Sequence, residues 1–298
     1  MIASPILLFT YKRLNALEKT ITALKKNDLA EETELFIFSD GPKHESDYKK
    51  IKDVRAFLKT IKGFKNVTIK ESNTNNGLAN SIISGVTEVL TFSESVIVLE
   101  DDLLATTNFL TYMNTALTKY KNIQKVFSIS GYSFDLGLKS PSIDETYFLY
   151  RGWSWGWATW RDRWSDIGWE VKDYESFKND KKRKAEFAQG GSDVNKMLQS
   201  QMEGSLDSWA IRWFYHQFKV DGLTLYPVYS KIYNNGFDDF ATHTKGSNKR
   251  YLPLLDTSNS SNILFPDTEE VKSNYQKAFL KKMGLWSRIK SKIEGLLP

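Results

Sequence analysis

Three adjacent carboxylates, Glu100-Asp101-Asp102, end the apolar run in VIVLEDDLL before the chain turns apolar again. Like charges side by side repel, so a half-buried cluster of this kind calls for a compensating cation. Carboxylate oxygens are hard ligands that suit Mg2+ or Mn2+, ions that keep open positions for substrate phosphates. The plainer reading is a solvated strand end whose acids favour the N-terminus of the next helix. A fourth carboxylate, Asp207 in Leu206-Asp207-Ser208-Trp209, stands beside an aromatic in a segment with helical spacing. Apolar neighbours raise a carboxyl pKa and suit it to general-base work near neutrality, although a helix-surface Asp is the ordinary alternative. His243 sits in a polar loop, from which it could supply a metal or phosphate contact or simply face water. His44, His216 and His243 share no metal-ligand spacing, and there is no Ser-elbow, P-loop or Gly-x-Gly-x-x-Gly pattern.

These residues need a frame, and the first 130 residues supply a regular one. Apolar runs at 6–9, 35–38, 67–70, 96–99 and 126–130 read as strands. Between them, helical spacing covers 14–26, a lysine-rich stretch to about 62, 78–90 and 109–120. Near-continuous apolar strands alternating with helices imply an α/β fold, a mostly parallel sheet covered on both faces. In such sheets ligands sit outside the carboxyl ends of the strands. Asp40, the Asn76-Gly77 loop and Glu100-Asp101-Asp102 all fall there.

After residue 130 the pattern changes. The stretch from Arg151 to Trp160 packs four Trp into ten residues, rings suited to sugars or bases and equally to a core. Residues 194–218 read as a long helix interrupted at Gly204, and 223–226 as a short strand. One continuous domain is expected, with residues 1–130 as a nucleotide-binding half, 131–279 as an acceptor-side half and 280–298 as a basic amphipathic helix. That terminal helix places Met283, Trp286, Ile289, Ile293 and Leu297 on one face, which fits either a membrane-surface contact or a closing helix docked on the domain.

The chain of 298 residues is 41% hydrophobic and 26% charged, ordinary values for a globular protein. A net charge of +5 suits anionic partners such as nucleotides or acidic lipids, and is too small and too evenly spread for a nucleic-acid binder. Without Cys there is no disulfide or thiolate chemistry. The opening residues carry too short an apolar run for a signal peptide or membrane span, so a cytoplasmic location is expected. In that setting the two Asn-x-Ser/Thr matches, at Asn66 and Asn259, carry little weight.

The motif order Ile6-Leu-Leu-Phe-Thr-Tyr-Lys-Arg13, Phe38-Ser-Asp-Gly41, Asn76-Gly-Leu-Ala79, Val98-Leu-Glu-Asp-Asp-Leu103 and a later Asp-x-Trp resembles the GT-A glycosyltransferases. The likeness is to the N-acetylglucosaminyltransferase I branch and to bacterial surface-polysaccharide sugar transferases. It spans about residues 5–245. The resemblance implies a Rossmann-like GT-A fold and transfer, with inversion, of a sugar from a nucleotide-sugar, UDP-linked, to a saccharide or lipid-linked saccharide hydroxyl. It implies that Arg13 and Asp40 contact the nucleotide and that Asn76 and Gly77 line the donor pocket. Glu100 and Asp101 would hold ribose and sugar hydroxyls, and Asp102 the Mn2+ or Mg2+ that bridges the diphosphate. Residues 152–160, with Trp153 and Trp155, would wall the sugar on the acceptor side, and Asp207 would be the base. Where the family pattern has an acidic doublet before its Trp, this chain has Asp207-Ser208, which leaves Glu203 as a rival base. Two rival readings are a nucleotidyltransferase, for which the Gly-rich basic loop after the first strand is missing, and a non-catalytic carbohydrate-binding protein, which has no need of the acidic triplet.

Overall fold

The computed structural model describes residues 3–138, 145–236 and 248–294. In chain order the elements begin with β1 (Ile6–Thr10), α1 (Leu14–Leu24), β2 (Glu34–Ser39), α2 (Tyr48–Leu58), β3 (Asn66–Glu71), α3 (Leu78–Leu90) and β4 (Ser95–Glu100). There follow β5 (Leu103–Ala105), α4 (Phe109–Tyr120), β6 (Val126–Ser130), β7 (Thr146–Leu149) and β8 (Trp157–Trp160). Next come α5 (Arg161–Ser165), α6 (Tyr174–Asn179), α7 (Lys181–Phe187), α8 (Val194–Met202) and α9 (Trp209–Lys219). The chain closes with β9 (Leu223–Pro227), β10 (Ile232–Asn234), α10 (Ser273–Lys282) and α11 (Leu285–Glu294).

One sheet runs in the order β3-β2-β1-β4-β8-β6-β9-β7. β1 pairs in parallel with both β2 and β4, β2 with β3, and β6 with β9. This is the α/β architecture expected, with antiparallel additions. β8 runs antiparallel between β4 and β6, and β7 antiparallel to β9 at the edge. A separate ribbon pairs β10 with β5.

The strands read as unbroken apolar runs because both faces are covered. Ile6 and Leu8 of β1 enter one core with Leu17 of α1, Val54 of α2, Met113 of α4 and Phe279 of α10. Leu7 and Phe9 enter the other, with Val86 of α3, Trp164 of α5 and Trp213 of α9. Each fully buried side chain of this size contributes about 2 kcal/mol relative to exposure. The tryptophan excess belongs largely to the second core. Trp157 of β8 lies 4.4 Å from Trp213, 5.0 Å from Trp209 and 5.6 Å from Trp164, ring centre to ring centre.

The strand order turns at β1, where the chain departs to β2 on one side and to β4 on the other. Crevices at such a switch point open beyond the strand carboxyl ends. The segments after β1, β2, β3 and β4 meet there: Tyr11-Lys12-Arg13, Asp40-Gly41, the 72–77 loop and Asp101-Asp102. Among the described residues no helix is long and apolar enough to cross a membrane.

Candidate active site

Two cavities open at this switch point. One, of about 530 Å³, lies beyond β1 and β2, among Phe9, Tyr11, Phe38, Asn75, Gly77 and Asp101. The other, of about 440 Å³, reaches across to Asp102, Arg151, Trp153, Trp155, Ser208 and Phe214. Arg13, Leu78, Ala79, Glu100 and Asp207 line both, so the two form one cleft divided at those residues.

The acidic triplet sits at this division. Asp101 is buried, and its carboxylate accepts from Thr10 Oγ1 at 2.9 Å, the Tyr11 amide at 3.3 Å and Arg13 at 2.9 Å. Its carbonyl accepts from Thr20 Oγ1 as well, so Asp101 ties β4 to the turn after β1. Asp102 Oδ2 accepts from Arg13 at 2.5 Å. One guanidinium thus serves two carboxylates. It is partly buried, and the two acids outweigh the effect of burial and hold its pKa above the usual arginine value. Glu100, at the end of β4, has its pKa pushed up to about 8, first by burial and then by the charges of Asp102 and Asp101. Burial likewise raises Asp101, against the pull of Arg13.

Among the described residues these three carboxylates face the one guanidinium of Arg13, a donor set short of positive charge that fits a divalent ion. All the available ligand atoms are hard oxygens. Among the described residues no group of three or more His, Cys, Asp and Glu is placed to hold a metal ion. An ion held here would lean on Asp102, with Glu100 near, and keep positions open for ligand oxygens. The turn after β10 closes over that carboxylate, and a Cβ on Gly236 would collide with it. His243, the other expected metal ligand, lies outside the described residues.

Beyond β1 and β2 the structure sorts the residues expected to meet a nucleotide. Asp40 aims inward from the end of β2, but its oxygens are taken up locally. Oδ1 accepts from the amides of Gly41 and Asn76, both at 2.9 Å, and Oδ2 from the Gly77 amide and Asn75 Nδ2, both at 3.1 Å. Asp40 therefore latches the 75–77 loop across the cavity. Gly41 has to be glycine there, because a Cβ would lie 2.5 Å from the Thr74 backbone. Gly77 starts α3 at φ 75°, in the left-handed region, and lines the cavity. The side chain of Asn76 departs from expectation. It is exposed and donates to Ser72 Oγ, and Asn75 takes the lining position.

Sequence reasoning missed Tyr11, Lys12 and Asp47. Asp47 is buried in the short turn before α2. It accepts from Lys12 Nζ at 2.7 Å, Tyr11 Oη at 2.7 Å and the His44 amide at 3.1 Å. The hydrogen bond from Lys12, then that from Tyr11, holds its carboxyl well below the usual range, while burial and Asp47 push Tyr11 up to about 12. This hub fixes the rim of the 530 Å³ cavity. The partners are 35 and 36 residues apart, so no local pattern announces them.

On the far side, only part of the Trp run forms the wall expected of 152–160. Trp155 lines the cavity half-buried, and Trp153, buried at 7% exposure and stacked on Tyr132 at 5.4 Å, backs it from the core, whereas Trp157 and Trp160 belong to β8 and are buried away from the cavity. Arg151, which the sequence did not single out, is buried beside Trp153. It pairs with Asp193 through two bonds of 2.7 and 3.2 Å.

Asp207 is not inside a helix. Gly204, at φ 73°, ends the turn after α8, and Ser208 caps α9 by accepting from the Ile211 amide. Asp207 occupies the loop between them, at the division of the two cavities. Its side chain is 69% exposed, so the apolar surroundings expected around it are absent, and Arg212 lies 3.7 Å away. Glu203, the rival base, accepts from Gln199 Nε2 and lines separate surface depressions, away from the cleft.

No protein-family model matches this chain, and no curated protein sequence does. Among solved structures, it is similar to a mannosyltransferase from Pyrobaculum calidifontis in complex with GDP-Man and Mn2+. The identity is 10% and the TM-score 0.41, over 72% of this chain and 69% of that one.

Proposed function

We propose that the chain is a metal-dependent glycosyltransferase of the GT-A kind. It moves a sugar from a nucleotide-sugar, a UDP-sugar, to a saccharide hydroxyl with inversion, in surface-polysaccharide or glycan assembly. The observation that carries this reading is the charge-deficient triplet, with one guanidinium for three carboxylates, set at the boundary between two cavities. A nucleotide fits the cavity rimmed by Tyr11, Lys12 and the latched 75–77 loop. An acceptor saccharide fits the one walled by Trp153 and Trp155, where the half-buried Trp155 offers aromatic surface to a sugar. The bond to be broken lies between them.

Asp102 and Glu100 would hold Mn2+ or Mg2+. When bound, such an ion neutralises charge on the departing diphosphate. Arg13 spans the division and offers a second positive group to the same phosphates. Asp207 stands at that division, open to the acceptor-side cavity, and takes the proton from the attacking hydroxyl at Oδ1 or Oδ2. Its exposure in the open cleft is compatible with this role, since an acceptor entering the 440 Å³ cavity would cover it. Placement in the cytoplasm, on the inner face of a membrane that presents lipid-linked saccharides, completes the reading.

Calorimetric titration of UDP into wild type and Asp102→Ala, with and without Mn2+, tests it. Affinity that needs the metal and falls at least about tenfold in the variant is expected. UDP binding that is indifferent to both would discard the donor site. Product formed from a panel of sugar nucleotides then identifies the donor.

A further inference from the structure

The C-terminal segment divides into two helices with opposite behaviour. α10 behaves as a closing helix, burying Tyr275 and Phe279, and Met283 just beyond it is buried as well. After Gly284 the chain turns into α11, which inverts the usual arrangement. Its Ser287, Arg288 and Ser291 are half-buried, and Arg288 donates to Ser192 Oγ at 3.3 Å. Its large apolar side chains face out: Leu285 is 61% exposed, Trp286 83%, Ile289 37% and Ile293 54%. At 100° per residue these four occupy one arc of about 100°. A helix that only closed the domain would turn that arc inward.

The charge around the arc says what covers it. Over α10 and α11, positions 273–294, the sequence carries six basic residues and a single acidic one, Glu294 at the far end. Lys281 at the end of α10 and Lys290 beside the arc are exposed. Two copies of so basic a face would repel each other. An apolar arc with Trp and Lys at its edge matches the boundary between acidic headgroups and acyl chains. We infer that α11 seats the chain on an anionic lipid surface.

The attachment of α11 joins this surface to the cleft. Ser192 Oγ, which accepts from Arg288, itself donates to the Met283 carbonyl at 2.7 Å, and the next residue, Asp193, holds Arg151 on the cavity wall. On its other flank α11 lies against the turn Asn248–Tyr251, where Tyr251 packs 5.5 Å from Trp155. The Trp-walled cavity is thereby held beside the lipid surface and takes an acceptor carried in that surface. This last step rests on the transferase reading, whereas the docking itself does not.

The test is flotation of the full chain with phosphatidylcholine vesicles and with vesicles one third phosphatidylglycerol, for wild type and the double variant Trp286→Glu/Ile293→Glu. Wild type is expected to rise with the anionic vesicles alone, and the variant to lose about tenfold in bound fraction. The variant should keep the wild-type response to UDP and Mn2+ and elute as a folded species. Wild type remaining in the dense fraction, or a variant that floats equally well, overturns the inference. So does a wild-type dimer that the variant splits, because a second copy would then own the face. Flotation as expected without any UDP binding upholds the docking and removes the transferase reading instead.

Discussion

Within the cleft the carboxylates divide their labour by their surroundings. Asp101 is saturated by Thr10, Tyr11 and Arg13 and so serves as a tie, whereas Glu100 and Asp102 keep oxygens toward the cavities. Asp207 alone is largely in solvent. If it is the base, Asp207→Asn removes the proton acceptor without disturbing the donor side. The expected result is a loss in kcat of about 10²–10⁴-fold with UDP affinity unchanged, read from steady-state kinetics beside calorimetry. Retention of full activity would move the base elsewhere in the 440 Å³ cavity.

Elements matter through what they hold still. The 75–77 loop has little packing of its own and is fastened by Asp40, through the amides of Asn76 and Gly77 and the side-chain amide of Asn75. Asp40→Ala should therefore weaken UDP binding about tenfold and lower stability by about 1–2 kcal/mol, seen by titration and thermal unfolding. An unchanged thermal midpoint with lost binding would instead mean that Asp40 touches the nucleotide directly. Much at this scale was legible in the sequence. β1 to β4 and α1 to α4 announce themselves through buried runs and helical spacing, and the acidic triplet through its position at a strand end. β8 escaped because Trp157-Ala-Thr-Trp160 lies in a Gly-punctuated aromatic run, with the same composition as a binding wall. Its pairing with Ser95–Val98 on one side and Ile129–Ser130 on the other makes it a strand. Asp47 and Arg151 escaped for a related reason, since each acquires meaning from a partner distant in sequence. The interruption expected at Gly204 is there, a left-handed residue, but the helix resumes only after Ser208 and so leaves Asp207 in the loop.

For the molecule as a whole, the Arg151–Asp193 pair is a strut that joins the cavity wall to the C-terminal helices. Burial opposes ionisation of Asp193, but the charge and hydrogen bonds of Arg151 outweigh it and keep the carboxyl below its ordinary range. A group depressed in the folded state contributes stability above its unfolded pKa, near 4, and loses it as pH falls through the lower folded value. Asp193→Asn should thus lower stability by about 3 kcal/mol at neutral pH, leaving Arg151 buried with half its partners, and by less near pH 3. Thermal unfolding at the two pH values decides this, and an equal loss at both would show that packing rather than charge is at stake.

The antiparallel wedge of β8 also governs the order of assembly. β1, β2, β3 and β4 can pair among themselves once residue 100 has been made, and a chain growing from its N-terminus can complete that parallel half early. The outer edge of β4 then waits until Trp157–Trp160 arrives to cover Ser95–Val98. Until that moment it is an open row of backbone donors and acceptors flanked by buried-type Val and Ile, the kind of edge that recruits other strands. Four residues rich in tryptophan thus cap the nascent chain, and a product truncated before Trp157 would be expected to aggregate rather than fold.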